Sequence, residues 1–386
     1  MRRAGVVDLK MIRPGYGGDP GLLIEIMANV HRAVARRSVE AGALVRVAVS
    51  ARSDLGLAAE ALPALSRQDG ETTLTPAEWT RLGTALTAAR RRHKRGELDD
   101  WMAALGRALG LDEIEAAVLR LAVAYRQDTY VEGLWDALSQ ARWRGTYLCL
   151  DPALFGLLLD QPGALVGRAL AADGRLRTSG LLAVDDDDGS IAVLQRLYTL
   201  IARRLPLPDD VRSLLVSQPR PPQLAWEAFH HLGEAAETAA RVLRAALERQ
   251  EKGVGILLYG PPGTGKTEFA ATLAAHVGAA LYPVGETDAA GEEPTRGERL
   301  ADLRLSQRLI DATGGVLLFD EMEDLFATNM FGRRDTPSRV FLHRLIEQGG
   351  APVIWTANDI SVVGPAVARR MMLCIELRQP PAAARA

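Results

Sequence analysis

The strongest chemical signal in the sequence is Gly260-Pro261-Pro262-Gly263-Thr264-Gly265-Lys266-Thr267. It fits the spacing G-x-x-x-x-G-K-[ST], in which glycines let successive backbone N–H groups turn inward around a phosphate. An apolar run, Gly255 to Tyr259, precedes it, and a helical pattern, Glu268 to His276, follows. A helix that starts there points its positive end at the same anion. In this setting Lys266 would reach the β- and γ-phosphates of a nucleotide, and Thr267 would ligate Mg2+. The plain alternative is a glycine-rich turn carrying an exposed lysine.

Binding phosphate is not hydrolysing it, and two later runs supply what hydrolysis needs. Gly315 to Phe319 is apolar and ends in Asp320-Glu321. A strand buried on both faces reads as continuous apolar sequence, and ligands sit at the C-terminal ends of strands in doubly wound sheets. There Asp320 can hold the Mg2+ hydration shell, and Glu321 can accept a proton from an attacking water. Taken alone, Asp-Glu after an apolar run reads as a helix N-terminus; the upstream phosphate loop favours the catalytic role. Glu323 and Asp324 read as first-turn helix residues. The run Pro352 to Thr356 ends in Ala357-Asn358-Asp359, where the Asn358 amide could orient water or touch the γ-phosphate. Without its companions that tripeptide would be a turn. Pro365 to Met371 reads as a short helix carrying Arg369 and Arg370, before a last strand, Leu373 to Leu377. Arginine spreads charge into a phosphate transition state, in many such enzymes from a neighbouring subunit. Two surface arginines at a helix C-terminus are the competing reading.

The elements that must position these residues follow from the apolar pattern. From Trp226 onward, short apolar runs alternate with helical segments, the texture of a parallel α/β sheet. Residues 1–184 are rich in Ala, Leu and Arg and read as a mainly helical domain of unknown role. Gly21 to Arg37 places Leu22, Ile26, Val30 and Val34 on one helical stripe. Asp99 to Ala108 and Asp112 to Tyr125 are two more helices, with Gly110 as C-cap and Asp112 as N-cap. Thr75-Pro76-Ala77-Glu78 is a helix start with a capping box. Leu44 to Val49 alternates weakly and could be a strand. Asp185 to Asp188, followed by glycine, reads as a solvated linker, since dense like charges repel. A helix from Ile191 to Leu205 and the prolines at 206, 208, 219, 221 and 222 complete a connector over 185–222, leaving 223–386 as the nucleotide-binding domain.

Composition excludes several classes. The 46 basic and 48 acidic residues leave a net charge of −2, so no global field attracts nucleic acid or an anionic membrane. Only Lys10, Lys94, Lys252 and Lys266 are lysines; the basic set is overwhelmingly arginine. Cys149 and Cys374 form no spaced set, which argues against a disulfide framework or zinc site. Arg2 and Arg3 are followed by no signal-like apolar run, and no stretch approaches the ~20 apolar residues of a membrane span. The expectation is a soluble, cytoplasmic chain. Arg90-Arg91-Arg92-His93-Lys94-Arg95 could meet phosphate backbones, but it suits a solvated helix end before Gly96. His31, His93, His276 and His343 show no metal spacing.

Taken together, the motifs resemble the AAA+ ATPases, and among them the group with Gly-Pro-Pro-Gly-Thr-Gly-Lys-Thr loops; the resemblance covers roughly residues 225 to 379. It implies an α/β P-loop NTPase fold, with five parallel strands in the order 5-1-4-3-2 flanked by helices. By that likeness Gly260 to Thr267, with Glu268 beside them, bind ATP. Lys266, Glu321 and Asn358 serve hydrolysis, Thr267 and Asp320 hold Mg2+, and Asn358 matches the first sensor. Arg369 and Arg370 match the arginine fingers. Phe229-His230-His231-Leu232-Gly233 resembles the stretch that helps enclose adenine, which adds Leu232 and Gly233 to the nucleotide set. The resemblance also implies hydrolysis of ATP to ADP and phosphate, a homo-oligomeric ring such as a hexamer, and remodelling of a protein partner. An ATP-sensing module with negligible turnover and a nucleic-acid-associated ATPase are the alternatives. The chain departs from the pattern in three ways. It ends at Ala386, so the C-terminal helical lid, with its second sensor, is expected to be missing. Glu286 to Arg299 is polar, with no aromatic where unfolding members carry one. Nothing in the N-terminal domain resembles a known adaptor.

Overall fold

The computed structural model describes residues 18–62, 74–93, 96–141, 146–185, 187–285, 294–310, 314–326 and 339–379. The chain divides into two compact units, Met1–Val193 with Ile201–Leu207 and Leu194–Leu200 with Pro208–Ala386.

Side-chain caps start most helices of the first unit, which include Pro20–Ala33, Val39–Ser50, Pro76–Arg92, Glu97–Leu109, Glu113–Gln127 and Pro152–Leu159. Asp19 Oδ1 accepts from the N–H groups of Gly21 and Leu22 at 2.9 and 3.2 Å. Thr75 with Glu78 and Asp112 with Glu115 close capping boxes, and Gly110 ends its helix in the left-handed conformation. Each such cap satisfies an orphan N–H or C=O and contributes about 1 kcal/mol. Among the buried aliphatic side chains of the interior, Trp101, Trp135 and Phe155 are fully buried, the last two edge to face at 4.9 Å.

Three local expectations change. Leu44 to Val49 lies inside the helix Val39–Ser50, whose N-cap Ser38 Oγ accepts from Ala41 N–H at 3.2 Å. Ala41, Ala43, Leu44, Val45, Val47 and Ala48 are all buried. A helix enclosed on most sides shows no clean period, which is why it imitates a strand. Ile191 begins not a helix but a strand, Ile191–Val193, paired antiparallel with Leu182–Val184; the helix Gln195–Ala202 follows it. The acidic run, rather than a linker, forms the turn of that hairpin. Asp187 N–H donates to Asp185 Oδ1 and Ser190 N–H to Asp188 Oδ1, both at 2.8 Å. Aspartates close tight turns by accepting from backbone two residues on, an effect that charge counting does not see. Arg90 to Arg92 end the helix Pro76–Arg92, with Arg90 at 3.5 Å from Glu25; Lys94 and Arg95 lie outside the described residues.

In the second unit, β1 (Gly255–Tyr259), β2 (Leu281–Pro283), β3 (Val316–Phe319), β4 (Val353–Ala357) and β5 (Leu373–Glu376) form one sheet. Every pairing is parallel and the order is β2-β3-β4-β1-β5, which is the expected 5-1-4-3-2 read from the other edge. Helices α1 (Glu234–Arg249), α2 (Lys266–His276), α3 (Arg296–Ile310) and α4 (Arg339–Gln348) accompany it. Ile256, Leu258, Leu318 and Ile354 present one sheet face to Phe269, Ala270 and Leu273 of α2 and to Ala239 and Leu243 of α1. On the other face Phe319 and Trp355 meet at 5.1 Å. Burial on both faces accounts for the continuous apolar runs. The proline-rich connector lies along the sheet edge, with Arg220 N–H donating to the Leu281 carbonyl at 2.8 Å. Of the polar segment Glu286 to Arg299, residues 286–293 lie outside the described residues. Among the described residues no helix is long and apolar enough to cross a membrane.

Candidate nucleotide site

The loop between β1 and α2 is shaped by glycines at positive φ. Gly260 (φ 145°) leaves β1 so close to β5 that a Cβ there would stand 2.1 Å from the Leu377 carbonyl oxygen. Gly263 (φ 77°) and Gly265 (φ 84°) turn the chain into α2, where Gly265 is the N-cap. Pro261 and Pro262 are exposed on the outside of the turn, and Thr264 Oγ1 donates to the Pro261 carbonyl at 2.9 Å. The first N–H groups of α2 lack helical partners and carry its positive end, so the loop is built to receive an anion.

Lys266 begins α2 and is buried. Its Nζ donates to the Gly260 carbonyl at 2.7 Å, the Pro261 carbonyl at 3.1 Å and Asn358 Oδ1 at 2.9 Å. Burial pushes the ammonium pKa down, and the nearby carboxylates of Glu323, Asp320 and Glu321 pull it back up. One residue on, Thr267 Oγ1 donates to Asp320 Oδ2 at 3.0 Å. This pair of hard oxygens, beside a phosphate cradle, suits Mg2+, which takes few protein ligands and keeps water and phosphate oxygens.

Asp320 and Glu321 follow β3, and Asn358 follows the neighbouring β4. The topology thus brings Lys266, Thr267, Asp320 and Asn358 together at the carboxyl ends of β1, β3 and β4. Glu321 has a left-handed backbone (φ 53°, ψ 56°) and an exposed side chain, held by its N–H donating to Thr356 Oγ1 at 2.9 Å. Such a backbone costs energy in a residue with a Cβ.

Glu268 differs from expectation. Its carboxylate accepts from the N–H groups of Gln223 and Leu224, pinning the chain just after the connector. Leu232 is partly buried against the core that contains Phe229, and Gly233 (φ 54°) turns the chain into α1. Trp226 stacks on His276 at 4.0 Å, so that histidine packs against an aromatic ring. Arg369 is exposed, with Nε donating to the Pro365 carbonyl at 3.1 Å. Arg370 pairs with Glu347 at 2.7 Å. Both hydrogen-bond away from the Lys266 cluster.

Three participants were not legible. Glu323 lies in the first turn of the short 3-10 helix Met322–Leu325, as expected, but its Oε1 also accepts from Asn358 N–H at 2.9 Å. Thr356 donates to Asp320 Oδ1 from the adjacent strand. Arg299 of α3 lies over the Phe319 ring at 4.5 Å and donates to the Asp320 carbonyl and, at 2.9 Å, to Asp324. The acidic spacing Asp320-Glu321-Met322-Glu323 was the one available hint; nothing local marks Thr356 or Arg299.

A family model matches the part of the chain that holds this site. The family model for "ATPase family associated with various cellular activities (AAA)" matches residues 256–379. The replication factor C large subunit of Nanoarchaeum equitans is 32% identical over 33% of this chain and 28% of that protein. The peroxisomal ATPase PEX6 of Neurospora crassa is 33% identical over 28% of this chain and 8% of that protein. A solved structure of C. elegans PCH-2 matches 42% of this chain and 47% of that one, at 20% identity and a TM-score of 0.31. The chain spans under a third of the length of the first of these curated relatives and under a tenth of the second. Residues 256–379 belong to the AAA family of the AAA+ superfamily of ATPases.

Proposed function

We propose that the chain binds ATP with Mg2+, hydrolyses it to ADP and phosphate, and uses the turnover to remodel a protein partner. The observation that carries this reading is the joining of Lys266, Thr267, Asp320 and Asn358 by hydrogen bonds at the ends of three adjacent strands. The β- and γ-phosphates would lie in the loop 260–267 against the first turn of α2, with Lys266 exchanging its carbonyl contacts for phosphate oxygens. Mg2+, held by Thr267 and Asp320, would neutralise phosphate charge. Asn358 orients the attacking water and the exposed Glu321 carboxylate takes its proton. The water oxygen bonds to the γ-phosphorus as the bond to the bridging oxygen breaks. Charge on the transferred group would be met from a neighbouring subunit in a ring. Arg369, exposed, is better placed for that than Arg370, which is engaged by Glu347.

The test is ATP hydrolysis measured against protein concentration, with Glu321→Gln as the blank. Turnover per subunit that rises with concentration supports sites completed between subunits. Retained turnover in Glu321→Gln removes the catalytic assignment. A second reading, an ATP-sensing switch with negligible turnover, is favoured by the three protein oxygens that already hold Lys266 Nζ. Tight ATP binding with turnover no greater than the blank selects it.

A further inference from the structure

One buried hydroxyl touches both acidic residues at the end of β3. Strands β3 and β4 pair in parallel with Phe319 opposite Trp355, so the next positions in register are Asp320 and Thr356. Side chains alternate along a strand. Leu318 and Ile354 share the core beneath α2, so Asp320 and Thr356, each two residues on, emerge on that same face. There the Thr356 hydroxyl donates its proton to Asp320 Oδ1, and its oxygen accepts the Glu321 N–H at 2.9 Å. The second Asp320 oxygen, Oδ2, is left to Thr267 at 3.0 Å.

Thr356 is fully buried on a central strand, where valine would pack as well and cost nothing in desolvation. A hydroxyl is tolerated there because both its donor and its acceptor are used. What it contacts is specific: one carboxylate oxygen, and the backbone N–H of a residue held in the left-handed region. Rotation of the Asp320 carboxylate would move Oδ2 away from Thr267. Relaxation of the Glu321 backbone would re-aim its carboxylate.

We propose that Thr356 is a positioning residue for the hydrolytic site. Through its one hydroxyl it sets the rotation of the Asp320 carboxylate and fixes the turn that presents Glu321. The inference rests on the ATPase reading above and deepens it: Asp320 and Glu321 are oriented together, by a residue of the neighbouring strand.

The experiment uses the full chain and its Thr356→Val and Thr356→Ser variants. Two quantities are read: steady-state ATP hydrolysis, and binding of a fluorescent ATP analogue in EDTA and in Mg2+. For Thr356→Val, kcat falls about 10- to 100-fold, the effect of losing a hydrogen bond to a charged group. Affinity in EDTA stays within about twofold of the parent, because the phosphate loop is untouched, while the gain in affinity on adding Mg2+ shrinks. Thr356→Ser keeps the hydroxyl and recovers kcat to within about threefold. Parent-like kcat and Mg2+ gain in Thr356→Val, or a Thr356→Ser as impaired as the valine variant, overturns the proposal. Should Thr356→Val fail to melt cooperatively, Thr356→Ala, which also lacks donor and acceptor, replaces it, and parent-like kcat there overturns the proposal equally. A parent chain with neither turnover nor Mg2+ gain strikes the ATPase reading itself and takes this inference with it. A parent with both, matched by the valine variant, strikes Thr356 alone.

Discussion

Lys266 Nζ and Asn358 Oδ1, on residues 92 positions apart in the chain, are joined by a hydrogen bond of 2.9 Å. The bond ties the first turn of α2 to the end of β4 and sets where the ammonium stands among the carboxylates. In the proposed function the two residues divide the work: the charge would bind phosphate, and the amide would position what attacks it. Lys266→Ala is expected to weaken ATP binding by about 100-fold or more, since a charge-assisted contact to phosphate is lost. Asn358→Ala is expected to keep affinity within about threefold and to lower turnover about 100-fold. Titration of a fluorescent nucleotide alongside steady-state kinetics separates the two, and equal loss of affinity in both would refute the division.

Gly260 and Gly263 should respond differently to the same added methyl group. A Cβ on Gly260 meets the Leu377 carbonyl at 2.1 Å, a contact with backbone that cannot swing aside. A Cβ on Gly263 meets nothing within 4 Å, leaving only the strain of its positive φ. Gly263→Ala should therefore cost about 1 kcal/mol, and Gly260→Ala about 3 kcal/mol or more, as β1 and β5 are forced apart. Denaturant midpoints of the two variants check the order.

Glu323 holds Asn358 through its backbone N–H, while its Oε2 is buried without a hydrogen-bond partner among the described residues. Removing the acceptor strands a donor, so Glu323→Ala should destabilise by about 1–3 kcal/mol, whereas Glu323→Gln keeps an acceptor oxygen and should stay within about 1 kcal/mol. Chemical denaturation of the pair distinguishes this from a surface role, in which both variants would match the parent.

What was legible in the sequence and what was not divides along a physical line. Phosphate loops, caps and doubly buried strands are local patterns, so Gly260 to Thr267, Thr75 with Glu78, and the apolar runs before Asp320 and Asn358 announce themselves. The strand order came from the family resemblance, and the pairings of the sheet agree with it. Glu323, Thr356 and Arg299 act across strands or from a separate helix, and their partners are set by register, which no short window contains. Leu44 to Val49 misled for the converse reason: tertiary burial on most sides erased the period that marks a helix. Asp185 to Asp188 misled because side-chain acceptors can make a turn where charge density suggests a linker.

Asp302, on α3, predicts a pH dependence of stability. It is buried, accepts from Gly285 N–H at 3.0 Å, and faces Arg196 at 3.7 Å. Burial raises its carboxyl pKa above the ordinary 3.8, and Arg196 and the Gly285 N–H only partly oppose this. A raised carboxyl pKa means that the folded state holds the proton more tightly than the unfolded chain. That contribution is fully present below the unfolded value and is lost as pH rises through the folded value. Asp302→Asn keeps the oxygen that Gly285 uses and removes the titration. The melting temperature of Asp302→Asn minus that of the parent should therefore climb as pH is raised from about 4 to about 8. A difference that stays flat would show that Asp302 does not titrate in the native state over that range.

The catalytic role proposed for Glu321 sets stability against turnover. Its left-handed backbone costs a residue with a Cβ about 1 kcal/mol, and its carboxylate is exposed, so the side chain gives little back in packing. Asparagine tolerates the left-handed region because its short amide bonds locally to the backbone, but it cannot serve as a base. Glu321→Asn should thus raise stability by about 0.5–1 kcal/mol while lowering turnover to that of Glu321→Gln. Nucleotide affinity should hold, since the phosphate loop and Lys266 are unchanged. A denaturant midpoint that falls would mean that the Glu321 carboxylate supports the fold itself. A midpoint that rises with turnover lost would mean that the strain is retained for the position it gives the carboxylate, which is the expectation if Glu321 meets the attacking water.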